Sequence, residues 1–118
     1  LVEDEKTVRL ASRRMLEQMG YTVELACDGE EALAAFQSAP EKYTFVMMDL
    51  VMPRKNGDET CREMRRIRAD LPILLASGYG ADEVEKRLSR EEFTEFLQKP
   101  YDSATLSETL WRTFGSAN

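Results

Sequence analysis

The chain contains no histidine. That absence removes Ser-His-Asp and Cys-His nucleophile systems, histidine-ligated zinc, and any phosphohistidine formed on this chain. Only two cysteines occur, Cys27 and Cys61. They are too few and too distant for the disulfide framework of a small secreted domain, and read as reduced thiols acting as small hydrophobes. No apolar run approaches the ~20 residues of a membrane span, and no signal peptide is expected. Basic residues are outnumbered: 16 Lys and Arg stand against 22 Asp and Glu, a net charge of −6. Nucleic acid repels that balance, so no direct nucleic-acid or membrane contact is expected. These absences together point to a cytoplasmic domain. What chemistry remains must run on carboxylates, hydroxyls, lysine and a hard metal ion.

The 118 residues suit one domain, expected to span 1–118. Hydrophobic residues at 42% and charged ones at 32% fit a soluble globular chain rather than a disordered one. Leu1 opens the chain in place of Met, and Leu1-Val2 reads as the end of a strand whose beginning is missing. A helical stripe follows in Val8, Ala11, Met15 and Met19, and Gly20 stops it. Tyr21, Val23 and Leu25 alternate with polar residues and predict a strand. Asp28 and Glu31 have capping-box spacing before a helix that Ala39-Pro40 ends.

Residues 45–48 predict the next strand, and Asp58 to about Arg68 the next helix, with Cys61, Met64 and Ile67 on one face. Pro53 and Gly57 read as turn residues between them. Arg62, Arg65, Arg66 and Arg68 crowd that helix and read as a solvated face, with a docking patch as the alternative. Residues 73–76 and 93–97 predict two more strands, separated by a helix near 81–89. A last helix, capped by Asp102 or Ser103, carries Leu106, Leu110 and Phe114 on one face. Five alternating β-α units argue for a parallel sheet with helices on both faces and right-handed crossovers.

One stretch runs against ordinary burial rules. The apolar run Phe45-Val46-Met47-Met48 leads directly into Asp49. A buried charge is costly unless paired or metal-bound. In a parallel sheet, sites lie beyond the carboxyl ends of the strands. Glu3 and Asp4 stand after the first strand, Asp49 after the third, Ser77 after the fourth and Lys99 after the fifth. All should meet at one edge. Three carboxylates there repel one another unless a cation intervenes. Oxygen ligands alone suit a hard ion, Mg2+ or Mn2+. Lys99 adds a point charge for a phosphoryl oxygen and Ser77 a donor. The set is one for phosphoryl transfer, with a carboxylate as nucleophile.

The segments "LVEDE", "VMMDLVMPRKNG", "LLASGYG" and "FLQKPY" resemble the receiver domain of two-component response regulators across essentially the whole chain. Their wording is most similar to receivers attached to hybrid sensor histidine kinases. The resemblance implies a doubly wound α/β fold: a (βα)5 flavodoxin-like sheet in the order 2-1-3-4-5, its first strand truncated here. It implies that Asp49 is the phosphoryl acceptor from a partner histidine kinase or phosphotransfer domain. It implies Mg2+ held by Asp4 and Asp49 directly, by Glu3 through water, and by the backbone carbonyl of Val51. Ser77 and Phe96 match the switch pair, and Lys99 the family's lysine, with a cis Lys99-Pro100 bond.

The implied output is a changed surface formed by the fourth helix, fifth strand and fifth helix, which can also pair two copies of the chain. The domain would catalyse its own phosphorylation and dephosphorylation as a switch rather than as a metabolic enzyme. Two departures stand out: Glu3-Asp4 replaces a pair of aspartates, and Phe96 lacks the hydroxyl of a tyrosine. An aspartyl-nucleophile phosphatase is the rival enzyme reading, but such enzymes carry an acid two residues after the nucleophile, where this chain has Val51. A receiver that binds partners without phosphorylation is the other; Asp4, Asp49 and Lys99 argue against it.

Overall fold

The computed structural model describes residues 1–52, 55–89 and 92–114; the expected turn residue Pro53 lies outside them. Its helices are α1 (Lys6–Gln18), α2 (Gly29–Ser38), α3 (Gly57–Ile67), α4 (Ala81–Arg87) and α5 (Ser103–Phe114). Its strands are β1 (Val46–Asp49), β2 (Ile73–Ser77) and β3 (Glu95–Gln98). They form a parallel sheet in the order β1-β2-β3, with Asp49 opposite Ala76 and Ser77 opposite Gln98. On the other side of β1, Val2 bridges Met48, and beyond it Ala26 bridges Val2, both parallel. The spatial order is therefore residue 26, residue 2, β1, β2, β3. This is the 2-1-3-4-5 order, with its first two members reduced to single bridges.

The strand expected over 21–25 is the main correction. Its alternation is real, but a strand needs a ladder, and only Leu1–Glu3 stands between this segment and β1. The available bonds are few: the Leu1 amino group donates to Glu24 O, Ala26 N–H to Leu1 O, and Glu3 N–H to Ala26 O. Where the ladder is lacking, a groove of about 520 Å³ is lined by Tyr21, Val23, Leu25, Phe45 and Met47 among others.

Local chemistry sets the helix ends. Gly20 takes φ 100°, the left-handed region that favours glycine, just after α1. Asp28 Oδ1 accepts from Glu31 N–H at 2.9 Å and caps α2, while Glu31 Oε1 reaches back past the cap to accept from Cys27 N–H at 3.1 Å. Asp102, not Ser103, caps α5 by accepting from Thr105 N–H at 2.8 Å.

Helices cover both faces of the sheet, which is why β1 and β2 are buried at every position. Val46, Met48, Ile73 and Leu75 pack with Phe36, Met64, Val84 and Leu88 from α2, α3 and the α4 region. Met47, Leu74, Ala76 and Leu97 pack with Leu16 of α1 and Leu106 and Leu110 of α5. Cys61 is fully buried, and burial pushes its thiol up to about 12, so it behaves as an inert hydrophobe. Gly57, read as a turn residue, instead begins α3. A Cβ there would lie 2.3 Å from the Asp49 carbonyl oxygen, so only glycine lets α3 start against the end of β1.

The arginines of α3 and its C-cap residue Arg68 also differ from expectation. Arg68 donates to the carbonyls of Pro40 and Tyr43, and Arg62 pairs with Glu92 at 2.6 Å and donates to the Arg87 carbonyl. Arg65 reaches Ala69 O and Thr94 Oγ1. These three fasten α3 to its neighbours instead of forming a free solvated face.

Candidate functional site

The sheet delivers each chemical group to one edge. Val2 donates to Met47 O and accepts from Asp49 N–H, which sets Glu3 and Asp4 beside the end of β1. Asp49 and Ser77 are the last residues of β1 and β2. Lys99 follows β3 and continues the ladder, its N–H donating to Ser77 O at 2.7 Å.

Carboxylate oxygens of Glu3, Asp4 and Asp49 lie within 4.8 Å of one another. Glu3 and Asp49 are buried, and Asp4 is exposed. Lys99 Nζ lies 2.6 Å from Glu3 Oε1 and 3.3 Å from Asp49 Oδ2. The other Glu3 oxygen accepts from Glu5 N–H at 3.1 Å. Glu3 is therefore held on both oxygens, while Asp4 faces solvent.

One ammonium among three carboxylates leaves the site net negative. Burial, reinforced by the Glu3 charge, pushes Asp49 up to about 7, although Lys99 acts in the opposite direction. For Lys99, burial favours the neutral amine, but the Glu3 and Asp49 carboxylates outweigh it and hold the group above its ordinary range. This donor set fits a hard divalent cation: it offers oxygen only, from several carboxylates, and their mutual repulsion is what a cation would relieve.

Beside these groups is a cavity of about 310 Å³ lined by Asp49, Val51, Ser77, Gly78, Tyr79 and Lys99. Ser77 is buried, and its hydroxyl accepts from Tyr79 N–H at 2.9 Å. Val51 is 44% exposed at the rim. Phe96 is not among the lining residues; it is half-buried and packs against the core on the α2-α3-α4 face. The Lys99-Pro100 peptide is cis.

Three contacts were not read from sequence. Glu3 is the nearer partner of Lys99. Tyr79 lines the cavity and its ring carries the Arg87 guanidinium at 4.8 Å. Arg9 Nη1 donates to the carbonyls of Glu3 and Asp4. The aromatic Tyr79 after Ser77-Gly78 was visible as a signal; the other two join distant residues or backbone atoms and leave no local mark.

An open α/β sheet with acids, hydroxyl and lysine at its carboxyl edge defines a class, and comparison gives it a family. The chain belongs to the response regulator receiver domain family of two-component signalling, whose model matches residues 1–110. It is 36% identical over 110 residues to the sensor kinase CckA of Brucella abortus, covering 93% of this chain and 12% of that protein. It is 39% identical over 114 residues to the response regulator MprA of Mycolicibacterium vanbaalenii, covering 95% of this chain and 46% of that one. The chain thus spans less than half the length of these relatives. The structure of TrrA from Thermotoga maritima, in complex with Mg2+ and BeF, superposes with a TM-score of 0.84 at 30% identity, covering 96% of this chain and 95% of that one. Among the described residues, no helix is long and apolar enough to cross a membrane.

Proposed function

We propose that the whole span 1–118 is one receiver domain in which Asp49 accepts a phosphoryl group from the phosphohistidine of a histidine kinase or phosphotransfer domain. An Asp49 oxygen attacks the phosphorus; the new P–O bond forms as the P–N bond breaks. The bonding pair returns to the partner's imidazole nitrogen, which takes a proton from solvent. The observation that carries this reading is the Lys99 ammonium shared between buried Glu3 and buried Asp49 beside an open cavity.

The residues fit Mg2+: Asp4 and Asp49 as direct ligands, the Val51 carbonyl as a third, and Glu3 through water. Bound there, the ion supplies positive charge for the phosphoryl oxygens. Glu3 is engaged by Lys99 and Glu5 N–H, which supports its indirect role. Lys99 holds a phosphoryl oxygen once Asp49 carries the group.

Phosphorylation adds about −1.5 to −2 charges and strong acceptor oxygens. Ser77 then exchanges its Tyr79 N–H partner for a phosphoryl oxygen, and Phe96, already half-buried, moves further in. The affected surface is that of α4, β3 and α5. Trp111 is 63% exposed on α5, and Arg112 of α5 reaches Glu95 of β3 at 3.7 Å. That face suits either a partner or a second copy of the chain. A phosphohistidine donor supports a cytoplasmic setting for the domain, and the net charge of −6 disfavours direct nucleic-acid contact.

The test is phosphotransfer from a radiolabelled phosphohistidine domain in Mg2+. The label should move to this chain and be lost on chelation of the ion before mixing. Retention of all label on the donor, across several donor domains and with acetyl phosphate as well, would overturn the reading.

A further inference from the structure

Two polar contacts made by α1 lie outside the acceptor chemistry, yet both end at its supports. Arg9 Nη1 donates to Glu3 O at 2.9 Å and to Asp4 O at 3.3 Å, so it grips the acidic segment by its backbone. One turn further along the same helix, Ser12 Oγ lies 2.5 Å from the Tyr101 hydroxyl. Ser12 is 1% exposed. Tyr101 stands two residues after Lys99, half-buried against the cluster that contains Leu16, Leu97 and Leu106. Helix α1 thus holds both the acids and the segment that carries the lysine.

We propose that the Ser12–Tyr101 hydroxyl pair is a positioning pair for phosphoryl uptake, fixing the Lys99 segment to α1 so that the ammonium stays registered against Glu3 and Asp49. This rests on the reading of Asp49 as acceptor. Lysine is a point charge on a flexible stem, so its placement depends on where its backbone is held. On one side that backbone is held by Lys99 N–H to Ser77 O at 2.7 Å. On the other, the Ser12 bond is the polar tie that reaches from the Tyr101 side chain. When the phosphoryl group arrives, the Ser77 hydroxyl gives up its Tyr79 N–H partner, so the side chain beside that backbone bond rearranges. The α1 side does not, and it keeps Lys99 in register while Ser77 rearranges. Small misplacements of a charged group cost rate steeply.

A purely space-filling role for Tyr101 makes a different prediction. Tyr101→Phe keeps the ring and removes one oxygen. The test follows phosphoryl mass gain from acetyl phosphate against Mg2+ concentration, with urea unfolding in parallel. Tyr101→Phe should lower the rate at saturating Mg2+ by about three- to tenfold and leave the half-saturating Mg2+ concentration unchanged, because Arg9 still holds the acids. Ser12→Ala should do the same, and the double variant should be no slower than the slower single one, since both remove one contact. Arg9→Ala should show the opposite split, a raised half-saturating Mg2+ with its saturated rate retained.

The nitrogen signal of the Lys99 ammonium should broaden in Tyr101→Phe and stay sharp in Arg9→Ala. A parent protein that takes up no phosphoryl group would overturn the acceptor reading and this proposal with it. Normal uptake by the parent, together with undiminished uptake by Tyr101→Phe or additive losses in the double variant, would overturn the hydroxyl tie alone.

Discussion

Lys99 sits closer to Glu3 than to Asp49, 2.6 Å against 3.3 Å. Glu3 thus acts as a resting partner for the lysine, leaving Asp49 less firmly neutralised. Its charge also raises Asp49. Glu3→Gln removes that charge and frees Lys99 to turn fully to Asp49, so both changes favour the Asp49 carboxylate. The Asp49 titration midpoint, followed by carboxyl carbon NMR without divalent ions, should fall below about 7. A midpoint that stays or rises would contradict this electrostatic picture.

The same raised value has a consequence for stability. Asp49 is pushed from 3.8 to about 7 in the folded protein, so the folded state binds its proton more tightly than the unfolded chain. The resulting stabilisation is full below the unfolded value and is lost as pH rises through about 7. Asp49→Asn carries no such loss. In chelator, urea unfolding should show the variant gaining on the parent between about pH 4 and pH 8, by on the order of 2 kcal/mol after allowance for solvent screening. A gap independent of pH would contradict it.

Mg2+ should shift amide signals at residues 4, 49 and 51 at millimolar concentration. Asp4→Asn removes a ligand charge and should weaken binding by about tenfold or more, or about 1.4 kcal/mol. Unchanged affinity in the variant would remove Asp4 from the ion site.

Much of the site was legible because strand ends are local signals. An apolar run ending in Asp49, and Lys99 directly before Pro100, announce themselves in a few residues. The Asp28 cap of α2 did so too. The second strand misled because alternation at Tyr21, Val23 and Leu25 describes one chain, whereas a ladder is a property of two. The arginines in and just after α3 misled for a related reason: the carbonyls of Pro40 and Tyr43 that hold Arg68 lie 28 and 25 residues away.

Arg68 supplies a stability prediction from that lesson. Arg68→Ala leaves the Tyr43 and Pro40 carbonyls without their donor and should cost about 1–3 kcal/mol in urea unfolding. Arg66, for which the described contacts include no such carbonyl bonds, should cost less than about 0.5 kcal/mol on the same change. Equal effects would show that the Arg68 contacts contribute little.

Ser77→Ala tests the coupling. The variant should still take up a phosphoryl group, because the nucleophile and lysine remain. Beryllofluoride, standing in for the phosphoryl group, should then perturb the NMR signals of residues 84–89 and 92–106 much less than in the parent protein. Equal perturbation in both would rule out the hydroxyl relay.

The central claim is that Asp49 is the phosphoryl acceptor, and the mass of the intact protein tests it most directly. After incubation with acetyl phosphate and Mg2+, the parent chain should gain one phosphoryl group, and peptide mapping should place it on the fragment containing Asp49. Asp49→Asn keeps the size of the side chain but removes the carboxylate nucleophile, so it should gain none. A label of normal stoichiometry on Asp49→Asn would show that the chemistry lies elsewhere in the chain.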